Sequence, residues 1–149
     1  MKLKILVPVD VEDPRSWSAV LPELRQHAKG NDVELTVVTV VPELGTVIAQ
    51  AAQALPFAAT LPGDLRDRVL AVARERLEDM AQIEDFGTIQ RIVRSGTIYS
   101  EILRTADDLS TDLFVLMSHL PDIGDYLLGP NAAKIVRHAR CSVLVVRPR

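Results

Sequence analysis

Along the chain, short apolar runs alternate with stretches in which apolar residues recur every three or four positions. The runs are Leu3-Lys4-Ile5-Leu6-Val7-Pro8-Val9, Val33 to Val41, Thr88 to Val93, Leu113 to Met117 and Val143-Leu144-Val145-Val146, each dense in the aliphatic and β-branched residues that favour strands. Between them Trp17, Val20, Leu21, Leu24 and Ala28 fall on one helical face. The same holds for Leu65, Val69, Val72, Ala73, Leu77 and Met80, and again for Ile98, Ile102, Leu103 and Ala106, at the spacing of amphipathic helices. A last helix is predicted near Ala132 to Ala139.

Turn residues punctuate these segments. Pro8, Asp10 and Asp13-Pro14 close the first strand, Pro42 closes the second, and Ser95-Gly96-Thr97 separates the third from its helix. Asp13 and Asp64 stand where N-caps belong, and Gly30 where a helix stops. Pro22 is discordant, because a proline inside a helix removes a hydrogen bond and crowds the preceding turn. A kink there, or a helix starting later than Pro14, is expected.

Strands apolar on both faces need cover on both faces, and their alternation with helices implies right-handed crossovers between parallel strands. The predicted class is an open, doubly wound α/β sheet of five parallel strands, a single domain over residues 1–149. No internal repeat or low-complexity tract divides it.

Composition adds exclusions. With 149 residues, 48% hydrophobic, 25% charged and a net charge of −3, the chain has the make-up of one globular domain. Arg66, Arg68, Arg74 and Arg76 are interleaved with Asp64, Asp67, Glu75 and Glu78, which reads as a mixed, solvated helix face and not as a nucleic-acid track. The apolar connection at 42–63 contains Gln50, Gln53 and Pro56, a poor membrane span; it is expected to fold over the site as a lid or to pack on a second subunit. One cysteine, Cys141, allows no internal disulfide, and the N-terminus runs into a strand without a leader, so a cytoplasmic location is expected.

In sheets of this class ligands bind beyond the carboxyl ends of the strands, where strand order reverses and helix N-termini face the crevice. The residues to inspect are therefore Pro8 to Asp13, Val40 to Glu43 and Met117 to Ala132. Asp10 has the chemistry to accept hydrogen bonds from a ribose hydroxyl or an adenine amino group, with Val9 and Val40 as walls; its alternative role is to cap or turn the chain toward the first helix. Gly129, ahead of Asn131, would let backbone approach a phosphate, or would simply make a turn with Pro130 at the first helical position. His119 follows the fourth strand as a phosphate contact, a proton donor or a plain loop residue. His27, His138 and Cys141 lack zinc-like spacing, and Gly96 is assigned a structural role. If the fifth strand lies at the sheet edge, its unpaired backbone invites a second copy.

Three blocks carry a family resemblance: Lys4-Ile5-Leu6-Val7-Pro8-Val9-Asp10, Leu127-Leu128-Gly129-Pro130-Asn131-Ala132-Ala133, and Val136 through Arg147, in which Arg137-His138-Ala139 precedes Ser142-Val143-Leu144-Val145-Val146. In this order they resemble the universal stress protein family, whose last strand usually opens with proline where Ser142 stands. The resemblance implies strand order 3-2-1-4-5, homodimers joined through the last strand (here Val143 and Val145), and ATP or AMP, with Mg²⁺ where phosphates are held. The family's ATP-binding branch carries glycine, two residues, glycine, nine residues, then glycine and serine or threonine. This chain departs from it with Met117, Leu120 and Pro130 and a spacing one residue shorter. It is closer to a subgroup with a Ser-His-Arg-Pro segment and a Leu-Leu-Gly-Ser-Asn turn, which Ser118-His119-Leu120-Pro121 and Gly129-Pro130-Asn131 resemble. Carried over, Pro8, Val9, Asp10 and Val40 would surround adenine and ribose. Met117, Ser118, His119, Gly129, Pro130, Asn131 and Ala132 would approach the phosphates.

Three functions follow. A nucleotide-binding, non-catalytic regulator of the stress response needs no catalytic constellation. A slow ATP hydrolase needs Mg²⁺ and a positioned water, for which the chain offers Asp10, Asp13 and Asp122 but no phosphate-binding lysine at a recognisable spacing. A nucleotide-free homodimeric interaction module is the reading that the missing glycines favour.

Overall fold

A computed structural model describes residues 1–43, 65–118 and 128–148. Its strands are β1 (Leu3–Pro8), β2 (Val33–Val41), β3 (Ile89–Ser95), β4 (Leu113–Met117) and β5 (Ser142–Val146). They form one parallel sheet in the order β3-β2-β1-β4-β5. The strand order is the one the resemblance implied, with β1 central and β3 and β5 at the edges.

Side chains alternate across the sheet with period two, so each strand feeds two cores. Ile5, Val7, Leu35, Val37, Val115 and Met117 point to one side, where Trp17, Val20, Leu24 and Leu77 meet them. Leu6, Val38, Val40, Phe114 and Leu116 point to the other, against Ile102, Ala106, Ala132 and Ile135. This two-sided burial is why the strands read as unbroken apolar runs. The first face is covered by helices α1 (Arg15–Ser18), α2 (Leu21–Ala28) and α3 (Leu65–Met80), the second by α4 (Ile98–Asp108) and α5 (Leu128–His138).

The first helical region is interrupted at Pro22, where a kink is expected. It is two helices, α1 and α2, with Pro22 in the first turn of the second. A proline N has no hydrogen to give the carbonyl four residues back and its ring crowds that carbonyl, which here belongs to Ser18, the last residue of α1. The break therefore falls between them. Asp13 does accept the Arg15 N–H at 3.1 Å, although the N-cap position itself is Pro14. Gly30 ends this region with φ +78°, a conformation open to glycine at little cost.

Two other boundaries shift. β3 runs to Ser95 instead of Val93, and Thr97 takes the N-cap position of α4 without a side-chain capping bond. α5 starts at Leu128, four residues ahead of Ala132, with Gly129 and Pro130 inside its first turn. Asp64 and the 44–63 part of the apolar connection lie outside the described residues. Among the described residues no helix is long and apolar enough to cross a membrane.

Candidate functional site

The loop leaving β1 is pinned by one buried side chain. The Ser16 hydroxyl, with no solvent exposure, accepts the Asp10 N–H at 3.0 Å and lies 2.7 Å from the Asp13 carbonyl and 3.1 Å from that of Asp10. Asp10 Oδ1 accepts the Glu12 N–H at 2.9 Å, closing an Asx turn, and the Asp13 N–H returns to the Asp10 carbonyl at 3.0 Å. Asp13 then holds Arg15 through a forked pair, Nε to Oδ1 at 3.0 Å and Nη2 to Oδ2 at 3.3 Å. The turn role weighed for Asp10 is thus real. Asp10, a residue 8% exposed, also lines a cavity.

That cavity, of about 350 Å³, is walled by the carboxyl ends of β1 and β2 and by α3. Asp10, Val11 and Glu12 form one side; Thr39, Val40, Val41 and Pro42 form the second. The third is the α3 stripe Arg68, Val69, Val72, Ala73 and Arg76, whose four-residue steps place these side chains on one face. Val41 is held from behind, since its carbonyl accepts the Gly96 N–H at 3.0 Å, a contact made at a residue with φ +143° where a side chain would be strained. Glu12 and Arg76 form an ion pair between the β1 loop and α3, and both line the cavity.

Asp10 and Val40 are therefore brought together as expected, but other expected contacts are not. Pro8 is buried in the sheet, Val9 packs in the first core at 4% exposure, and Met117 at 0% points into that same core. None of these three lines the cavity. Ser118 is half-buried just past β4, its N–H donated to the Val146 carbonyl at 3.0 Å. His119 lies outside the described residues, as does Leu120. Gly129, Pro130 and Asn131 are in the first turn of α5, at the carboxyl edge of the sheet by topology, and Pro130 is exposed. Ala132 instead turns its methyl into the second core at 3% exposure.

The α3 wall was not expected. Arg68 and Arg76 are exposed, as a solvated face requires, but they also border the cavity, as does Val72, which is 47% exposed. The signal is present in the sequence as a stripe, Arg68-Val72-Arg76, in which arginines flank a valine at steps of four. Elsewhere, burial pushes the Cys141 thiol above its ordinary 9.0, the Asp112 and Asp107 carboxylates acting in the same sense. Cys141 precedes β5, at the opposite end of the sheet from the cavity. Among the described residues no three His, Cys, Asp or Glu side chains converge as a metal site would require.

The sequence profile described as the universal stress protein family matches residues 1–147. Universal stress protein G of Shigella flexneri is 40% identical over 77 residues, 50% of this chain and 54% of that protein, so the chain spans about half the length of that relative. Universal stress protein A homolog 2 of Coxiella burnetii is 28% identical over 97% of this chain and 94% of its own. Among solved structures, the universal stress protein UspA of Lactobacillus plantarum superposes with a TM-score of 0.62 at 22% identity, covering 99% of each chain. A universal stress protein of Archaeoglobus fulgidus, solved with dAMP, gives 0.54 at 18% identity over 98% of each. A family protein of Arabidopsis thaliana, with AMP bound, gives 0.52 at 16% identity over 98% of this chain and 92% of that one. At these identities the structures establish the fold.

Proposed function

We propose that this chain, which belongs to the universal stress protein family, binds an adenine nucleotide in the cavity between β1, β2 and α3 and acts through its occupancy instead of through catalysis. The observation that carries this is the cavity itself: apolar walls from Val40, Val41, Val69 and Val72 with Asp10 in the same lining. An adenine ring needs flat apolar cover, and a ribose diol needs an acceptor at one edge. Its volume of about 350 Å³ lies at the low end of ligand clefts, roughly 300–1,000 Å³, which suits a nucleoside and leaves its phosphates outside. AMP and dAMP bound to proteins of the same fold support the adenine assignment. ATP, Mg²⁺ and a regulatory outcome are proposals that rest on this reading; Ser118, Gly129 and Asn131, which the resemblance would place at phosphates, do not line the cavity.

The partner we propose is a second copy through β5. That strand is an edge, carries no charge along Ser142 to Val146, and leaves Val143 and Val145 half-buried against the second core. Unpaired strand edges of this composition favour pairing.

The test is thermal unfolding of nucleotide-stripped protein with AMP, ATP and GTP. A ligand at 100 times its dissociation constant adds about 2.7 kcal/mol, which for a chain of this size raises Tm by about 5–10 °C. Asp10→Asn keeps the Asx-turn acceptor for Glu12 while removing the charge, and is expected to fold and to lose most of the shift. No shift with any nucleotide would reject nucleotide binding and leave the homodimeric interaction module.

A further inference from the structure

We propose that Arg76, held by Glu12 beside the cavity, is a phosphate-recognising group of this chain, and that the phosphate of a bound nucleotide displaces Glu12 from it. The inference rests on the adenine-nucleotide reading above and names the group that distinguishes a nucleotide from its nucleoside.

Both ends of the pair belong to the cavity lining, Glu12 from the β1 loop and Arg76 from α3. Glu12 is two residues from Asp10, so their Cα atoms lie at most about 7 Å apart along the chain, and the Asx turn draws the loop together at that point. Asp10 and the Arg76 that Glu12 holds line one and the same cavity. A nucleotide whose sugar Asp10 holds would share that cavity with the guanidinium.

The exchange is favourable on charge and geometry. The side chains of Arg76 and Glu12 are 51% and 70% exposed, and exposed ion pairs contribute a factor of about five or less to an equilibrium. A phosphate brings more charge than a carboxylate and offers the guanidinium two parallel hydrogen bonds. Arg68 lies two turns away on the same helix face, about 12 Å along its axis, and lines the same cavity. It extends the positive side of the site, while the acidic side is Asp10 and Glu12. An arginine subsite also fits the local sequence, since Met117 occupies a glycine position of the ATP-binding pattern and turns its side chain into the core.

The experiment measures dissociation constants of adenosine and AMP by calorimetry for the natural chain, Arg76→Gln and Glu12→Gln, each at low and at moderate salt. We expect AMP to bind about tenfold more tightly than adenosine, as a hydrogen-bonded charge pair would give. R76Q should collapse that ratio toward one. E12Q should raise it by up to about fivefold, because the competing carboxylate is gone, and added salt should lower it. An unchanged ratio in R76Q, or equal loss of both ligands there, would overturn the proposal while adenine binding stands. If the natural chain binds neither ligand, the cavity reading fails and takes the proposal with it.

Discussion

Replacing Ser16 by alanine tests whether the β1 loop is held as its hydrogen bonds indicate. The hydroxyl touches three backbone groups, but removing it harms them unequally. The Asp13 carbonyl keeps the Ser16 N–H at 3.0 Å, and the Asp10 carbonyl keeps the Asp13 N–H at 3.0 Å. The Asp10 N–H has the Ser16 hydroxyl at 3.0 Å as its acceptor, in a residue 8% exposed, so the loss falls on one buried donor. Leaving a buried N–H unpaired costs about 1–3 kcal/mol, and the small void left by the hydroxyl adds little. Ser16→Ala should therefore lower unfolding free energy in urea by about 2 kcal/mol and Tm by about 4–8 °C. Ser18→Ala, an exposed neighbour, should stay within about 0.5 kcal/mol of the parent. Equal midpoints for the two variants would refute the claim that Ser16 anchors the loop carrying Asp10 and Glu12.

Other outcomes follow from the same structure. Leu77→Ala, at a side chain with 0% exposure between α3 and the first core, should cost about 2–5 kcal/mol in urea denaturation; a loss under about 1 kcal/mol would mean that α3 packs more loosely than described. Val145→Lys should convert a dimer to a monomer in sedimentation equilibrium, and a natural chain that sediments as a monomer would end the β5 pairing idea. The folded Cys141 thiol titrates above its unfolded value, so its contribution to stability is present below the unfolded value and is lost as pH rises toward the folded one. Native protein should accordingly react with iodoacetamide more slowly near pH 8 than urea-unfolded protein, and equal rates would count against a buried thiol.

The strands were legible because both faces of this sheet are covered, which leaves a composition that little else produces: β4 runs from Leu113 to Met117 as read, and β2 from Val33 to Val41. α5 starts four residues ahead of the expected Ala132, near the alternative in which Gly129 turns the chain and Pro130 takes the first helical position. A proline in the first turn of a helix removes an N–H that has no intrahelical partner in any case, so the helix begins ahead of it. Arg68 and Arg76 are solvated as the sequence indicates, but their place beside a cavity was not legible. Alternating charges on a helix have the same pattern whether the face meets bulk water or the rim of a cavity, and only the placement of β1 and β2 beside α3 separates the two. Ser16 carries no sequence signal of its role, since its importance comes from a loop that returns to it from six residues earlier.

The two sheet edges are chemically unlike, and this separates the two binding proposals. β3 carries Arg91, whose Nε donates to the Ala81 carbonyl at 3.1 Å, and Arg94, paired with Asp108 at 3.5 Å; charged side chains of this kind guard an edge against further pairing. β5 has no such guard along its length. The cavity lies on the guarded side, at β1, β2 and α3, and β2 is three strands from β5, about 14 Å at the usual interstrand spacing. A second copy on β5 would leave the cavity open, so a charge at Val145 should alter assembly without touching AMP affinity, and Asp10→Asn should do the reverse. Coupling between them would have to pass through β1 and β4, where Ser118 after β4 already bonds the last carbonyl of β5 at 3.0 Å. A change in AMP affinity on dilution across the dimer dissociation range would locate regulation in that connection, and a constant affinity would make nucleotide binding and assembly independent properties of the fold.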